Sequence, residues 1–351
     1  MSDPLLIYGA TGYTGRLVVE GALRLGLRPV LGGRNHAKLA ALAGPLGLEY
    51  RVAPLAFATR LDAALEGIRV VLHAAGPFAE TAQSMAEACI RVGAHYLDLT
   101  GEADVIEDLA RRHAEARARG VMLMPAVGFD VVASDCLAAY VARQFPTAER
   151  IRFGIRGLGL ISRGSAKTFI GHGGRPIWVR WNGRLVPAPA PIRERTFDYG
   201  DGPTNSVNMN WGDVTAAYYT TGVPNVEVYF ESTPLLRAIL ASHRALGGLL
   251  STPAIQFWGR LQTEFMPDGP TEEERARVQT VIVVEAEDGA ARRAAARQRG
   301  PQAYTFTAMS APEVARRALL GDVELGFQTP GRVYGPDFPL QFDGVSREDL
   351  E

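Results

Sequence analysis

The chain has 351 residues, with 37 Lys and Arg against 38 Asp and Glu, a formal net charge of −1, and 47% hydrophobic residues. This composition supplies core for roughly two domains of about 150 residues each, and it argues against a disordered chain and against a nucleic-acid binder, which would carry a basic stripe. The two cysteines, Cys89 and Cys136, lie far apart without metal-type spacing, which points to a reducing, cytoplasmic setting rather than a disulfide scaffold.

The N-terminus carries Asp3 and Pro4 and no basic, leader-like region. The first element is then the stretch "LLIYGATGYTGRLVVEGALRLG", in which a predicted strand over 5–8 runs through Gly9, Gly12 and Gly15 into a predicted helix over 15–25. Further strands are predicted over 28–31, 49–52, 70–74, 96–99 and 121–125, with helices between them over 36–43, 58–65, 81–92 and 105–119. Strands and helices alternating at this spacing make a Rossmann-type doubly wound parallel sheet. In that context each glycine of the first turn has a use. Gly9 permits the tight turn, Gly12 lets backbone approach a pyrophosphate, and Gly15 packs helix on sheet, while the helix N-terminus supplies amide donors. Thr11, Tyr13 and Thr14 complete the cofactor turn. The second strand ends in "VLGGRN", with Arg34 and Asn35 where an acid would bond an unphosphorylated ribose, and Lys38 follows one helical turn later. A guanidinium there can fork onto a 2′-phosphate, so the expected cofactor is NADP(H).

After about residue 146 the texture changes. "RIRFGIRGLGL", "NVEVYFES" and "RVQTVIVVEAEDG" read as strands, and "RWNGRL" as a hairpin around Asn182 and Gly183, followed by a connector with Pro187, Pro189 and Pro191. These form an expected second domain over 147–309, α+β and largely antiparallel, for substrate binding or dimerisation. The apolar stretch 235–258 reads as helices at a core or a homodimer interface. Its Arg237, His243, Arg244, Gly247, Gly248 and Pro253 argue against a membrane span. "GLGLISRGSAKT" places Arg163, Ser165 and Lys167 around a helix start, which suits either an anionic substrate group or a solvated corner.

An ordered series of motifs, "YGATGYTGRLV", "GGRNHAKL", "HAAGPF", "ACIRVGAHYLDLTGE", "VGFDVVASD", "SRGSAKT", "GPTEEERA" and "GFQTPGRVYGPDF", resembles the saccharopine dehydrogenase-like oxidoreductases, in particular the branch of trans-acting enoyl reductases. The resemblance implies that "HAAGPF" and "HYLDLTGE" lie along the cofactor, with Ala75, Gly76, Pro77 and Phe78 as a ledge and apolar wall. It also implies that 310–351 returns to complete a cofactor domain begun by 1–146. In one departure, Val131, Val132 and Ala133 stand where relatives commonly have Ser, an aliphatic residue and Pro.

A hydride enzyme needs a proton source near its substrate. The catalytic candidates are Asp98, Asp130 and Tyr96, on predicted strand ends, with His73 beside the ledge. Glu102 and Asp135 read equally as first-turn helix acids. No Tyr in the first domain has Lys four residues on, and the histidines lack metal-ligand spacing, so no metal is expected. The expected activity is reduction of an enoyl or keto group on a small, lipid-like substrate. C–N dehydrogenation and a non-catalytic NADP(H) sensor or partner subunit are the alternatives.

Overall fold

The computed structural model describes residues 3–171, 176–188, 193–234, 236–238, 252, 258, 261–263 and 265–350. His172, Pro189, Pro191 and nearly all of 235–258, on which the dimer expectation rested, lie outside the described residues. Among the described residues no helix is long and apolar enough to cross a membrane.

The first half builds β1 (Leu5–Tyr8), α1 (Tyr13–Arg24), β2 (Val30–Gly33), α2 (His36–Leu46), β3 (Tyr50–Val52), α3 (Ala58–Ala64), β4 (Val70–His73), α4 (Phe78–Val92), β5 (His95–Asp98), α5 (Ala103–Arg111), α6 (His113–Ala118), β6 (Met122–Met124) and α7 (Phe129–Gln144). The strands pair in parallel in the order β6-β5-β4-β1-β2-β3. Continuous apolar runs such as "LLIY" and "VVLH" are buried on both faces, as a sheet covered by helices on both sides requires. The order reverses between β1 and β4, which opens the crevice where such folds bind ligands.

A seventh strand, Gly326–Phe327, adds to β6 in parallel from the C-terminal part of the chain. The helix Ala303–Leu319 before it packs on α1, β4 and α7. The chain's last strand, Ser346–Leu350, pairs instead with Arg293–Pro301 of the second sheet. The return therefore serves both sheets.

The second sheet is mixed. Arg150–Arg156 pairs in parallel with Asn225–Glu231 and antiparallel with Gln279–Glu287, and the remaining pairings are antiparallel. In "RIRFGIR", Ile151, Phe153 and Ile155 are buried, while Arg152 and Arg156 pair with Glu227 and Glu231 across the strand interface. The hairpin forms as expected, Trp178–Trp181 against Arg184–Pro187, with Asn182 and Gly183 both at positive φ. Helix α7 joins the two units and packs against both the second sheet and the helix Ala303–Leu319.

Candidate functional site

The turn after β1 is built around glycine. Gly9 sits at φ +87°, and a Cβ there would lie 2.8 Å from the backbone of Ala74 and Ala75. A Cβ on Gly15 would fall 2.1 Å from the Gly9 carbonyl oxygen, so α1 reaches the sheet only because that atom is missing. Gly12 is exposed at the N-terminus of α1, and the first turn of that helix contains no acid. Thr11, Tyr13 and Thr14 are partly exposed beside it. These features fit a pyrophosphate, since free amides and the positive end of a helix dipole meet at an open backbone.

At the end of β2, Arg34 and Lys38 are exposed, and Arg34 makes no hydrogen bond or ion pair among the described residues. Asn35 does a local job: its side-chain oxygen accepts from the Lys38 amide at 3.0 Å and caps α2. After β4, Ala75, Pro77 and Phe78 are partly exposed and Gly76 is exposed, so this ledge is open. Glu102, buried, braces it from behind by accepting from the amides of Phe78 at 2.9 Å and Ala79 at 3.3 Å. That placement makes Glu102 a helix-terminus acid, for α4 rather than for its own helix.

Asp98 and Tyr96 are fully buried. Asp98 Oδ2 accepts from the Tyr96 hydroxyl at 2.7 Å, and its Oδ1 accepts from the amides of Thr100 at 2.9 Å and Ala126 at 2.8 Å. Burial lifts Asp98 to about 6 against the pull of those hydrogen bonds, and burial also raises the Tyr96 hydroxyl. His73 completes the set, its Nδ1 3.3 Å from the Tyr96 hydroxyl and its ring enclosed by Tyr8, Phe78 and Tyr96, and burial pushes it down to about 3. These groups tie β4, β5 and β6 together. Asp98 and Tyr96, two of the catalytic candidates, are thus buried, with the Asp98 oxygens and the Tyr96 hydroxyl engaged by one another and by backbone amides.

Asp130 is different. It opens α7 just beyond β6 and is partly exposed, and its carboxyl has no hydrogen-bond or ion-pair partner among the described residues. Burial with no neighbouring cation pushes it up to about 7. Its Oδ2 presses on Gly101 in the loop after β5, where a Cβ would stand only 2.8 Å away. Two contacts from distant parts of the chain hold this helix start: Trp211 Nε1 donates to the Asp130 carbonyl at 2.8 Å, and the Phe129 amide donates to Thr307 Oγ1 at 3.0 Å. Trp211 and Thr307 carried no local sequence signal. Gly101 carried a partial one, because its place in "LTGE" beside a strand end could have flagged a close approach.

Deeper along α7, Asp135 Oδ2 accepts from the Gly331 amide at 2.7 Å, and Asp213 is fully buried with neither carboxyl oxygen hydrogen-bonded among the described residues. Burial raises Asp213 well above its ordinary value, with the charges of Asp135 and Asp130 pushing the same way. A carboxyl whose folded pKa is raised binds its proton more tightly in the native than in the unfolded chain. Its contribution to stability is therefore full below the unfolded value near 4 and declines as pH rises. Asp213→Asn, which mimics the neutral acid, is accordingly expected to melt above the parent at pH 8, with the difference shrinking toward pH 5. Thermal melts across that range check this.

His95 Nδ1 accepts from the Met122 amide at 3.0 Å, and His113 Nδ1 accepts from Phe327 at 3.2 Å, so both pin strands. Among the described residues no group of His, Cys, Asp and Glu is arranged to hold a metal ion.

Residues 5–124 match a family model described as the saccharopine dehydrogenase NADP binding domain, the stretch that holds the glycine turn, the end of β2 and the ledge after β4. A trans-acting enoyl reductase of Mycobacterium leprae is 34% identical over 142 residues, covering 37% of this chain and 33% of the relative. A trans-acting enoyl reductase of Mycobacterium bovis is 32% identical over 139 residues, with the same two coverages. The match thus spans about a third of the length of these relatives. Among solved structures, the apo saccharopine dehydrogenase (L-Glu forming) of Saccharomyces cerevisiae superposes over 99% of both chains with a TM-score of 0.67 at 10% identity, which extends the shared fold to the second sheet.

Proposed function

We propose that this protein is an NADP(H)-dependent oxidoreductase that reduces an enoyl or keto group on a small, hydrophobic substrate, with Asp130 as the proton donor. The observation that carries the reading is the Asp130 carboxyl: partly exposed, unpaired, pushed up to about 7, and set at the C-terminal ends of β5 and β6 beside the dinucleotide crevice. When bound, the cofactor supplies a hydride. The chain's residues do the rest. The amides around Gly12 and the α1 N-terminus bind the pyrophosphate, and Arg34 with Lys38 receives the 2′-phosphate. Ala75 to Phe78 form the wall of the cleft, and Asp130 donates the proton that completes the reduction. The enoyl chemistry is taken from the name borne by the mycobacterial relatives. A hydrophobic substrate is supported by Ile161 and Phe265, exposed apolar residues next to Ser162 and Met266 on the second domain's side of the turn.

Arg34→Asp tests the cofactor assignment. Loss of a charge-assisted contact worth about 1.5–3 kcal/mol weakens NADPH binding roughly ten- to hundredfold, while NADH binding is unchanged or improves. Fluorescence titration reads both, and equal effects on the two nucleotides would sink the assignment. Screening enoyl, keto and imine substrates for NADPH oxidation then separates the readings. Turnover on imines alone favours C–N chemistry, and binding without any turnover makes the protein a sensor.

A further inference from the structure

The segment 266–270 of the second domain crosses the dinucleotide turn and grips it. Asp268 Oδ2 accepts from Arg16 Nη2 at 2.7 Å, and its Oδ1 lies 3.3 Å from Arg163 Nη2. The Tyr13 hydroxyl donates to the Pro270 carbonyl at 2.5 Å and accepts from Arg275 Nη1 at 2.7 Å. The Arg163 amide donates to the Asp268 carbonyl at 3.0 Å, and the Arg163 guanidinium donates to the Met266 carbonyl. Gly269 lies so close to the Tyr13 ring that a Cβ would meet it at 2.7 Å. Arg16 is in the first turns of α1, facing the groove toward α2 that also borders Ala41 and Leu42. The hydrogen bond from Arg16, with the charges of Arg163 and Lys38 adding to it, holds the Asp268 carboxyl below its usual range against a burial that acts the other way. One carboxylate thus serves several cations at the rim of a site read as taking three phosphates.

Resting on the NADP(H) reading, we propose that Arg16 is a further cofactor-phosphate contact and that Asp268 is its resident counter-ion, a specificity determinant that competes with the cofactor's 2′-phosphate for Arg16 and its cationic neighbours. The sign is the same by either route. If Asp268 stays in place it repels the incoming dianion, and if it is displaced its ion pairs are given up. Removing its charge therefore favours the phosphorylated dinucleotide over the unphosphorylated one.

The test is calorimetric titration of the full chain and of Asp268→Asn, at fixed ionic strength, with NADPH, NADH, 2′-AMP and 5′-AMP. Asp268→Asn is expected to bind NADPH and 2′-AMP about three- to tenfold more tightly than the parent, with NADH and 5′-AMP within about twofold, on the scale of partly exposed charge pairs. Arg16→Gln is expected to weaken NADPH and 2′-AMP selectively. Gly269→Ala, which pushes the segment off Tyr13 without touching a charge, is a second route to the same selective tightening. If Asp268→Asn weakens all four ligands, or tightens all four alike, the counter-ion role is wrong. If the parent chain binds neither dinucleotide, it is the cofactor reading that has failed, and the two failures are told apart by that first titration.

Discussion

Replacing Asp130 by Asn is expected to lower turnover by about 10²–10⁴-fold, the range a positioned general acid supplies, while NADPH affinity stays within about twofold. The split follows from where the group lies. Asp130 is on α7, beyond β6, whereas the proposed phosphate contacts are the turn after β1 and the end of β2. The parent's rate profile carries the same signature. A carboxyl pushed up to about 7 is protonated and competent as a donor below that pH, so the rate of substrate reduction falls as pH rises through it. Asp130→Asn removes that limb. Gly101→Ala is the conservative companion: its Cβ would stand 2.8 Å from Asp130 Oδ2, so it disturbs the carboxyl while leaving it present, and a shifted limb with reduced kcat is expected. Steady-state rates and NADPH titrations at several pH values measure all of this. A turnover unchanged in Asp130→Asn would remove Asp130 from the chemistry.

The second large effect is expected at Gly15. An alanine there puts a methyl 2.1 Å from the Gly9 carbonyl oxygen and 2.9 Å from its carbon. Both are backbone atoms, so no side-chain rotation relieves the clash and α1 must move off the sheet. Overpacking of this kind costs about 1–3 kcal/mol or more, and it displaces the amides proposed to bind the pyrophosphate. Gly15→Ala is therefore expected to melt several degrees lower and to bind NADPH at least about tenfold more weakly. Normal affinity in a variant that also melts normally would mean that the turn is only a corner.

Most of the first sheet was legible because its signals are local. The runs at 5–8 and 70–73 are uniformly apolar, and the glycines of the first turn sit between a strand and a helix. The departures trace to contacts made across the fold. Helix α4 begins at Phe78 rather than near 81 because Glu102, 24 residues on, satisfies its first amides. The single helix expected over 105–119 is broken at Arg112, whose guanidinium pairs with Glu87 and whose neighbour His113 is bonded to Phe327. The seventh strand has two residues, too few for any periodicity. The candidate site divides the same way. The proposed cofactor residues lie within one turn and one strand end and could be read in order, and Asp130 could be named from its place after a strand. What set Asp130 apart from Asp98 was tertiary: three hydrogen bonds consume Asp98, and among the described residues none reaches the Asp130 carboxyl. The grip of Asp268 on Arg16 spans 252 residues, and "MPDGP" reads locally only as a turn.

The most direct test of the central claim is a pair of titrations of the purified chain, NADPH against NADH, followed by nucleotide fluorescence and by thermal shift at one ionic strength. Saturable NADPH binding with a raised melting temperature is expected, with NADH at least about tenfold weaker, from the glycine turn and Arg34 acting together. Equal affinity for the two nucleotides would contradict the 2′-phosphate assignment, and binding of neither would contradict the oxidoreductase reading itself.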